Sequence, residues 1–504
     1  MADKQTELKA MLDQGLITQT DYDQQMAQLT SNHPDQADAE PEATKQAAKF
    51  AVKTTCPNCG STDFAWQPSL QKFACNYCKA QFEIETPDYL AKAAALKNDE
   101  VYNLSGKTVS VGLSKAVDKE NVGIVTYQCP NCGATISFST QDAWSSIKCE
   151  WCRGEISAEN VVPNGYNPDL VVRFEVAKEQ AQANVAEFIN RRRWLVSKKF
   201  LREFKAADIR PVYVPQMMID VNANESIQGL GGVLLNMYTE TYESDDGKST
   251  YSVTYYDYDV YQWERHFVLG INDLTLGANE ALSQQSKTST NNVIDVVKPF
   301  DTSKAVPYQH QYLQGGYRSE RRTLDVDDVT PDMQKIAIDM GYSQVQPTLN
   351  YDHGVRYDNA TMEVNGIRYA AVLCPIWLYS YYEYDRKGNF KRQHYCVVNG
   401  QTGKTIGSMP INVTAQIGWS IAGAVAMFVL LFFVFPFGGV DIDIKWILGL
   451  SVAVFAAIAY FTYTAVRNTD KHNDYVRNTE NEMFDLESSD VWVDRVIRST
   501  NPSI

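Results

Sequence analysis

Four Cys-x-x-Cys pairs between Cys56 and Cys152, set two and two, hold eight of the ten cysteines and constrain the fold of this chain more than any other feature. The first set is Cys56, Cys59, Cys75 and Cys78, with fifteen residues between its pairs; the second is Cys129, Cys132, Cys149 and Cys152, with sixteen. Two residues between cysteines let one tight turn aim both thiolates at a single ion, and a second such turn completes a tetrahedral shell. This is zinc-ribbon spacing, in which a pair of short hairpins shares one metal. The flanks agree. Both leading pairs read Cys-Pro-Asn-Cys-Gly, at 56–60 and 129–133, with proline where φ is preset and glycine where a positive φ is cheap. Equivalent cysteines recur 73 or 74 positions apart, so the two units read as copies.

Disulfides would need an oxidising compartment, yet the N-terminal MADKQTELKAML carries charge throughout and has no apolar signal core, which places it in reducing cytosol. Redox CxxC chemistry normally uses one pair rather than four. Iron accepts the same four thiolates as zinc. The expectation is two structural Zn²⁺ ions, since a full four-thiolate shell leaves no position open for water. Such a metal supplies much of the folding free energy of units too small to build a core.

At 504 residues the chain has room for three or more domains. Its 46 Lys and Arg against 61 Asp and Glu give a net charge of -15, which argues against a general nucleic-acid binder. From Ala51 to Pro163 the balance is ten basic to twelve acidic residues, so the cysteine region does not restore positive charge.

A mean hydropathy of -0.33 conceals two apolar runs, Ile417–Phe437 and Trp446–Val466, each 21 residues long and separated by eight. Both exceed the roughly 18 residues that signal a membrane span, so a transmembrane hairpin is expected. The intervening GGVDIDIK is acidic, whereas Arg467, Lys471 and Arg477 follow the second run, which orients both termini to the cytoplasm. Gly449, Ala453 and Ala457 fall on one face of the second helix and suit close helix packing. Neither run carries an Asp, Glu, Lys, Arg or His.

The remaining order follows from local signals. Residues 1–30 read as a short helical hairpin, with Gly15 ending one helix and Thr18 and Asp21 starting the next. A polar, acidic linker occupies 31–50, the first ribbon 51–86, a connecting segment 87–124 and the second ribbon 125–165. From 166 to 410 a mainly antiparallel β domain is expected, with a helix over about Val176–Arg193 running into a basic segment. Between Arg191 and Lys205 lie seven basic residues and one Glu203, interleaved with Trp194, Leu195, Phe200, Leu201 and Phe204. Such a segment suits an anionic membrane surface, nucleic acid or a solvated helix face.

Hairpins are expected over Thr250–Ile271, entered by Asp245-Asp246-Gly247, and over Tyr369–Val397 around 385–389. PVYVPQMMIDV at 211 and AAVLCPIWLYSY at 370 share a pattern that implies two related halves. Thr330, Pro331 and Gly341 bracket a short helix between them. Gly400 to Thr405 ends like a P-loop, but its first glycine is replaced by Val398 and it follows a hairpin, so it reads as a turn. The six histidines are scattered, and Cys374 and Cys396 read as core residues.

Three features carry a resemblance: the doubled CPNCG…CxxC, the run VVRFEVAKEQA, PVYVPQM, LQGGYRSE, CPIWLYSYYEY and VVNGQTGKTIGSMP, and the apolar hairpin. Together they resemble the TFIIB-type zinc-ribbon membrane proteins of Gram-positive bacteria over most of residues 50–470. Methionine stands at 217, where that pattern often has tryptophan. LKAMLDQGLITQTDYDQQMAQL resembles SHOCT-type helical modules, which implies oligomerisation or recruitment. The resemblance implies architecture and ribbon ligands and little mechanism.

The expected fold is a multidomain α+β chain comprising a short helical hairpin, two four-cysteine zinc ribbons, a β-rich cytoplasmic body and a two-helix transmembrane hairpin in a bacterial cell membrane. The expected function is that of a non-enzymatic scaffold or recruiter in envelope maintenance, binding the lipid bilayer and a protein partner or its own copies. The alternative is a membrane-tethered nucleic-acid-binding regulator. No small-molecule substrate is indicated.

Overall fold

The computed structural model describes residues 55–84, 108–110, 124–140, 147–153, 155–156, 161–243, 250–280, 297–385, 387–434, 444–467 and 479–499. The segments expected to form an N-terminal helical hairpin and its linker lie outside these residues, as does most of the connecting segment. What is described is β-rich, with few helices, and closes on two apolar C-terminal helices.

The first cysteine unit is three short strands, β1 (Phe64–Gln67), β2 (Lys72–Cys75) and β3 (Gln81–Phe82), forming their own antiparallel sheet. After β4 (Thr108–Ser110), the second unit contributes β5 (Ile124–Gln128), β6 (Thr135–Ser139) and the small pair β7 (Ile147–Lys148) and β8 (Glu155–Ile156). Then come β9 (Val161–Val162), β10 (Leu170–Val171), helices α1 (Lys178–Asn190) and α2 (Lys198–Glu203), and a long hairpin of β11 (Arg210–Glu243) with β12 (Thr250–Gly277). β13 (Val306–Pro307), β14 (Arg318–Glu320) and α3 (Val326–Val345) lead to β15 (His353–Tyr384), β16 (Phe390–Asn399) and β17 (Thr405–Gly407). The chain ends on α4 (Val413–Val429, continued by a π-turn at Leu430–Val434), α5 (Ile444–Arg467) and β18 (Asn481–Ser499).

Thirteen of these strands join one sheet, with β15 and β11 side by side at its centre. Burial along β11 explains its sequence. Residues 212–223, the largely apolar VYVPQMMIDVNA stretch, are buried because both faces of the sheet are covered there. Residues 225–233 alternate, with one face covered, and 235–241 are exposed on both faces. Beyond that point β11, β12 and β18 continue as a three-stranded arm.

The two PVYVPQM-like segments are neighbours in this centre, Val214 pairing with Cys374. Pro215 lies where β11 exchanges β14 for β12 as its second neighbour, and Pro375 where β15 exchanges β10 for β16. A residue with no N–H fits a strand at such a gap in the ladder. Ala278 N donates to Pro215 O (3.1 Å) and Gly400 N to Pro375 O (2.8 Å), so the two halves match there as well.

Three expectations are corrected. The short helix at Thr330–Gly341 is longer and begins at Val326, because Asp325 and Asp328 form the capping box; Pro331 sits inside it. Gly341 packs rather than terminates, since a Cβ there would collide with the Glu225 carboxylate. In the apolar hairpin, Gly449 faces open space, and the contact is made by Gly423 of α4, where a Cβ would meet Ile458. Small residues permit close approach without requiring it; here Ile447 and Ser451 of α5 are the buried positions. The hairpin turn at Asp385 forms as expected, and Asn399 to Lys404 is a turn with Gly403 at φ +76. The stretch 481–499 is a strand paired along β12.

Candidate metal centres

Each set of four cysteines converges. The sulfurs of Cys56, Cys59, Cys75 and Cys78 lie within 4.8 Å of one another, as do those of Cys129, Cys132, Cys149 and Cys152. Two Sγ–Sγ distances in the first set are 3.5 and 3.6 Å, and in the second 3.3 and 3.6 Å. A tetrahedral shell with metal–sulfur bonds of about 2.3 Å places its sulfurs about 3.8 Å apart, so both cages have the size a metal ion of this kind needs. Among the described residues these are the two cysteine clusters able to hold metal, and Cys374 and Cys396 are buried core thiols pushed up to about 12 by burial.

All four turns are built alike. The residue after each second cysteine donates its N–H to the carbonyl of the first: Gly60 to Cys56 (2.8 Å), Lys79 to Cys75 (3.0 Å), Gly133 to Cys129 (2.9 Å) and Arg153 to Cys149 (2.8 Å). All four have positive φ, between +58 and +76. Glycine is the natural residue there, and a Cβ at Gly60 would meet nothing within 4 Å, so backbone conformation alone selects it. Lys79 and Arg153 show that the turn accepts a side chain, which the sequence pattern did not reveal.

The thiols titrate apart. Cys78 is drawn down to about 6 by the Asn58 side chain and the Ala80 N–H, while Cys149 is driven far up by Cys132 and by burial. Four sulfurs this close cannot ionise together without a cation among them.

The two cages differ in their surroundings. The first is anchored on one side by the β1–β2 hairpin. Trp66 Nε1 donates to Phe174 O (2.9 Å), Tyr317 OH to Trp66 O (3.2 Å), and the Arg173 guanidinium lies over the Trp66 ring. Its turn tips point outward, Cys59 being exposed and Tyr77 82% so. The second is enclosed: Cys129, Cys149 and Cys152 are buried, Trp151 Nε1 donates to buried Glu320, and Glu150 pairs with Arg318 (2.6 Å). Arg153 extends from the cage to Ser380 Oγ (3.1 Å) and Asp208 O (2.9 Å). β6 joins β14, so the second unit is continuous with the main sheet. A polar cleft of about 840 Å³ separates the two units, lined by Trp66, Lys148, Arg153, Arg210 and Arg318 among others.

The basic Arg191–Lys205 segment sits elsewhere, and its first residues reach the apolar helices, Trp194 against Trp419 and Arg192 Nε donating to Ala465 O. α4 and α5 are long and apolar enough to cross a membrane, each with a mean hydropathy of 1.9 over its span.

No family model matches the chain, and no solved structure matches it. It is similar to the uncharacterized protein YdjG of Bacillus subtilis (strain 168), 23% identical over 374 residues, which cover 74% of this chain and 94% of that protein.

Proposed function

We propose that this protein is a membrane-anchored, zinc-binding scaffold that recruits a protein partner rather than catalysing a reaction. In this reading both cysteine cages hold Zn²⁺ as closed structural sites. Four-cysteine sets without an open position suit zinc in a reducing compartment, and α4 and α5 fix the body to the cytoplasmic face of a bacterial cell membrane, with both termini inside.

The observation that carries the recruiting role is β18. It borders the three-stranded arm, and among the described residues no strand pairs with its outer edge. Along it Val491, Trp492, Val493 and Ile497 are each about half exposed, and Met237 and Tyr251 of the same arm are exposed as well. An unpaired edge with apolar side chains is the template on which another chain adds a strand. Asp485, Glu487 and Asp494 interrupt it with charge, as edges that must avoid indiscriminate pairing do. The outward tip of the first cage, with Tyr77, offers a second contact, and the SHOCT-like N-terminal segment a handle for self-association.

A photo-crosslinking residue at Trp492, in full-length protein kept in its membrane, tests the reading. A discrete protein adduct that is lost on Val493→Pro supports it, and labelling of lipid or nucleic acid alone contradicts it.

A further inference from the structure

The Arg191–Lys205 segment is joined to the feet of both apolar helices. Its backbone meets the chain just before α4 through two hydrogen bonds, Ser197 N donating to Pro410 O (2.8 Å) and Asn412 N to Leu195 O (2.7 Å), which together make Val196 and Ile411 an antiparallel bridge. Trp194 packs edge-on against Trp419 of α4, their ring centroids 5.5 Å apart. At the other foot, Arg192 Nε donates to Ala465 O (2.9 Å) in the last turn of α5, where the helix dipole favours a cation.

These contacts set the depth of the segment. Trp419 is six residues into α4, about 9 Å along its axis, so Trp194 reaches the zone between headgroups and acyl chains, where tryptophan concentrates. Leu195, Val196 and Phe200 are buried in the body and hold the segment in place. Its cations point away from that core: Arg191, Arg193, Lys198, Lys199, Arg202 and Lys205 are exposed. Arg191 pairs with Glu187, while Glu203 accepts a hydrogen bond from Tyr381 OH. Among the described residues the other five make no ion pair. In a chain of net charge -15, this is a cationic band that starts at the feet of the apolar helices and continues along α2.

We propose that this band is a binding site for the anionic headgroups of the phospholipids around α4 and α5. The proposal rests on the reading that these helices cross a membrane. Guanidinium and ammonium groups at that depth meet phosphates directly, and the tryptophan pair fixes their height. A nucleic-acid strand reaching the same cations would have to lie in the plane of the bilayer surface, which disfavours it as the occupant.

The test uses the full-length protein in neutral detergent, titrated with phosphatidylglycerol or phosphatidylcholine, with bound lipid counted by native mass spectrometry. Lys198→Gln/Lys199→Gln/Arg202→Gln is compared with Lys387→Gln/Lys391→Gln/Arg392→Gln, which removes the same charge from the 385–392 hairpin outside the segment. The wild type and the hairpin variant should prefer phosphatidylglycerol, and the band variant should bind it on the order of 100-fold more weakly. Equal phosphatidylglycerol binding by all three proteins, equal loss in both variants, or a band-dependent affinity for an oligonucleotide without lipid preference would overturn the site. Alkaline carbonate extraction separates the underlying reading: release of the wild type from membranes would overturn membrane crossing and the site with it, whereas retention with unselective lipid binding would overturn the site alone.

Discussion

Val214 and Cys374 face each other across the central strand pair, and each is followed by a proline at which its strand exchanges a parallel neighbour for an antiparallel one. The body is therefore built on two matching half-sheets joined through one antiparallel contact. The second cage is wired into this junction through β6 and β14, and the arm carrying β18 grows out of β11 and β12.

That wiring separates the two metal sites in their effect on stability. Both should bind one ion each, and cobalt substitution should give the absorption of tetrahedral thiolate coordination at a stoichiometry of two. Cys149→Ser/Cys152→Ser should prevent accumulation of folded protein, because it removes the anchor of Trp151, Glu150 and Arg153. Cys75→Ser/Cys78→Ser should lower the melting temperature while leaving the main sheet intact. Metal affinity should fall as pH falls, because binding requires deprotonated thiols. Unchanged melting after complete chelation would exclude a structural role for the metal.

Asp220 and Arg368 form an ion pair (2.6 Å) inside the sheet, with Asp220 fully buried and also accepting from Asp273 N (2.7 Å) at a bulge in the β11–β12 ladder. Asp220→Ala removes the buried carboxylate of this ion pair and should cost about 3–5 kcal/mol, measured by denaturant unfolding. Asp220→Leu/Arg368→Met should cost less than either single replacement, because the desolvation of both charges disappears together.

Glu225 gives the fold a dependence on pH. It is 2% exposed, neither carboxylate oxygen has a hydrogen-bond partner among the described residues, and burial pushes it from 4.5 up to about 8. The folded chain therefore keeps a proton that the unfolded chain loses. Stability from this group is complete below about 4.5 and falls by about 1.4 kcal/mol per pH unit as pH rises toward about 8. Glu225→Gln should flatten that slope, so its advantage in melting temperature over wild type should grow from pH 5 to 8. Parallel curves for the two proteins would show that Glu225 is ionised in the fold.

What was legible in the sequence followed from short-range chemistry. Cys-x-x-Cys spacing brings sulfurs together within one turn, uncharged runs of 21 residues define helices, and the 385–389 turn residues define their hairpin. What was hidden depended on distant partners. Thr330 and Pro331 look like a helix start until Asp325 and Asp328, five and two positions before Thr330, are seen to cap one another. Gly449, Ala453 and Ala457 form a small-residue stripe, but which face of α5 meets α4 is set by Gly423. The 481–499 strand has alternating apolar residues amid many charges, and its pairing with β12 bridges more than 200 positions and an intervening pair of apolar helices. The Trp194–Trp419 contact is similarly remote.

The most direct measurement is crosslinking from the open edge: a photoreactive residue at Trp492, in membranes that have been nuclease-treated, with and without Val493→Pro. A single protein adduct in the first preparation and none in the second is the result expected of a membrane-anchored scaffold that recruits by strand addition. No protein adduct in either, with nucleic acid co-purifying from untreated membranes in a salt-sensitive manner, would contradict it and bring the tethered regulator forward.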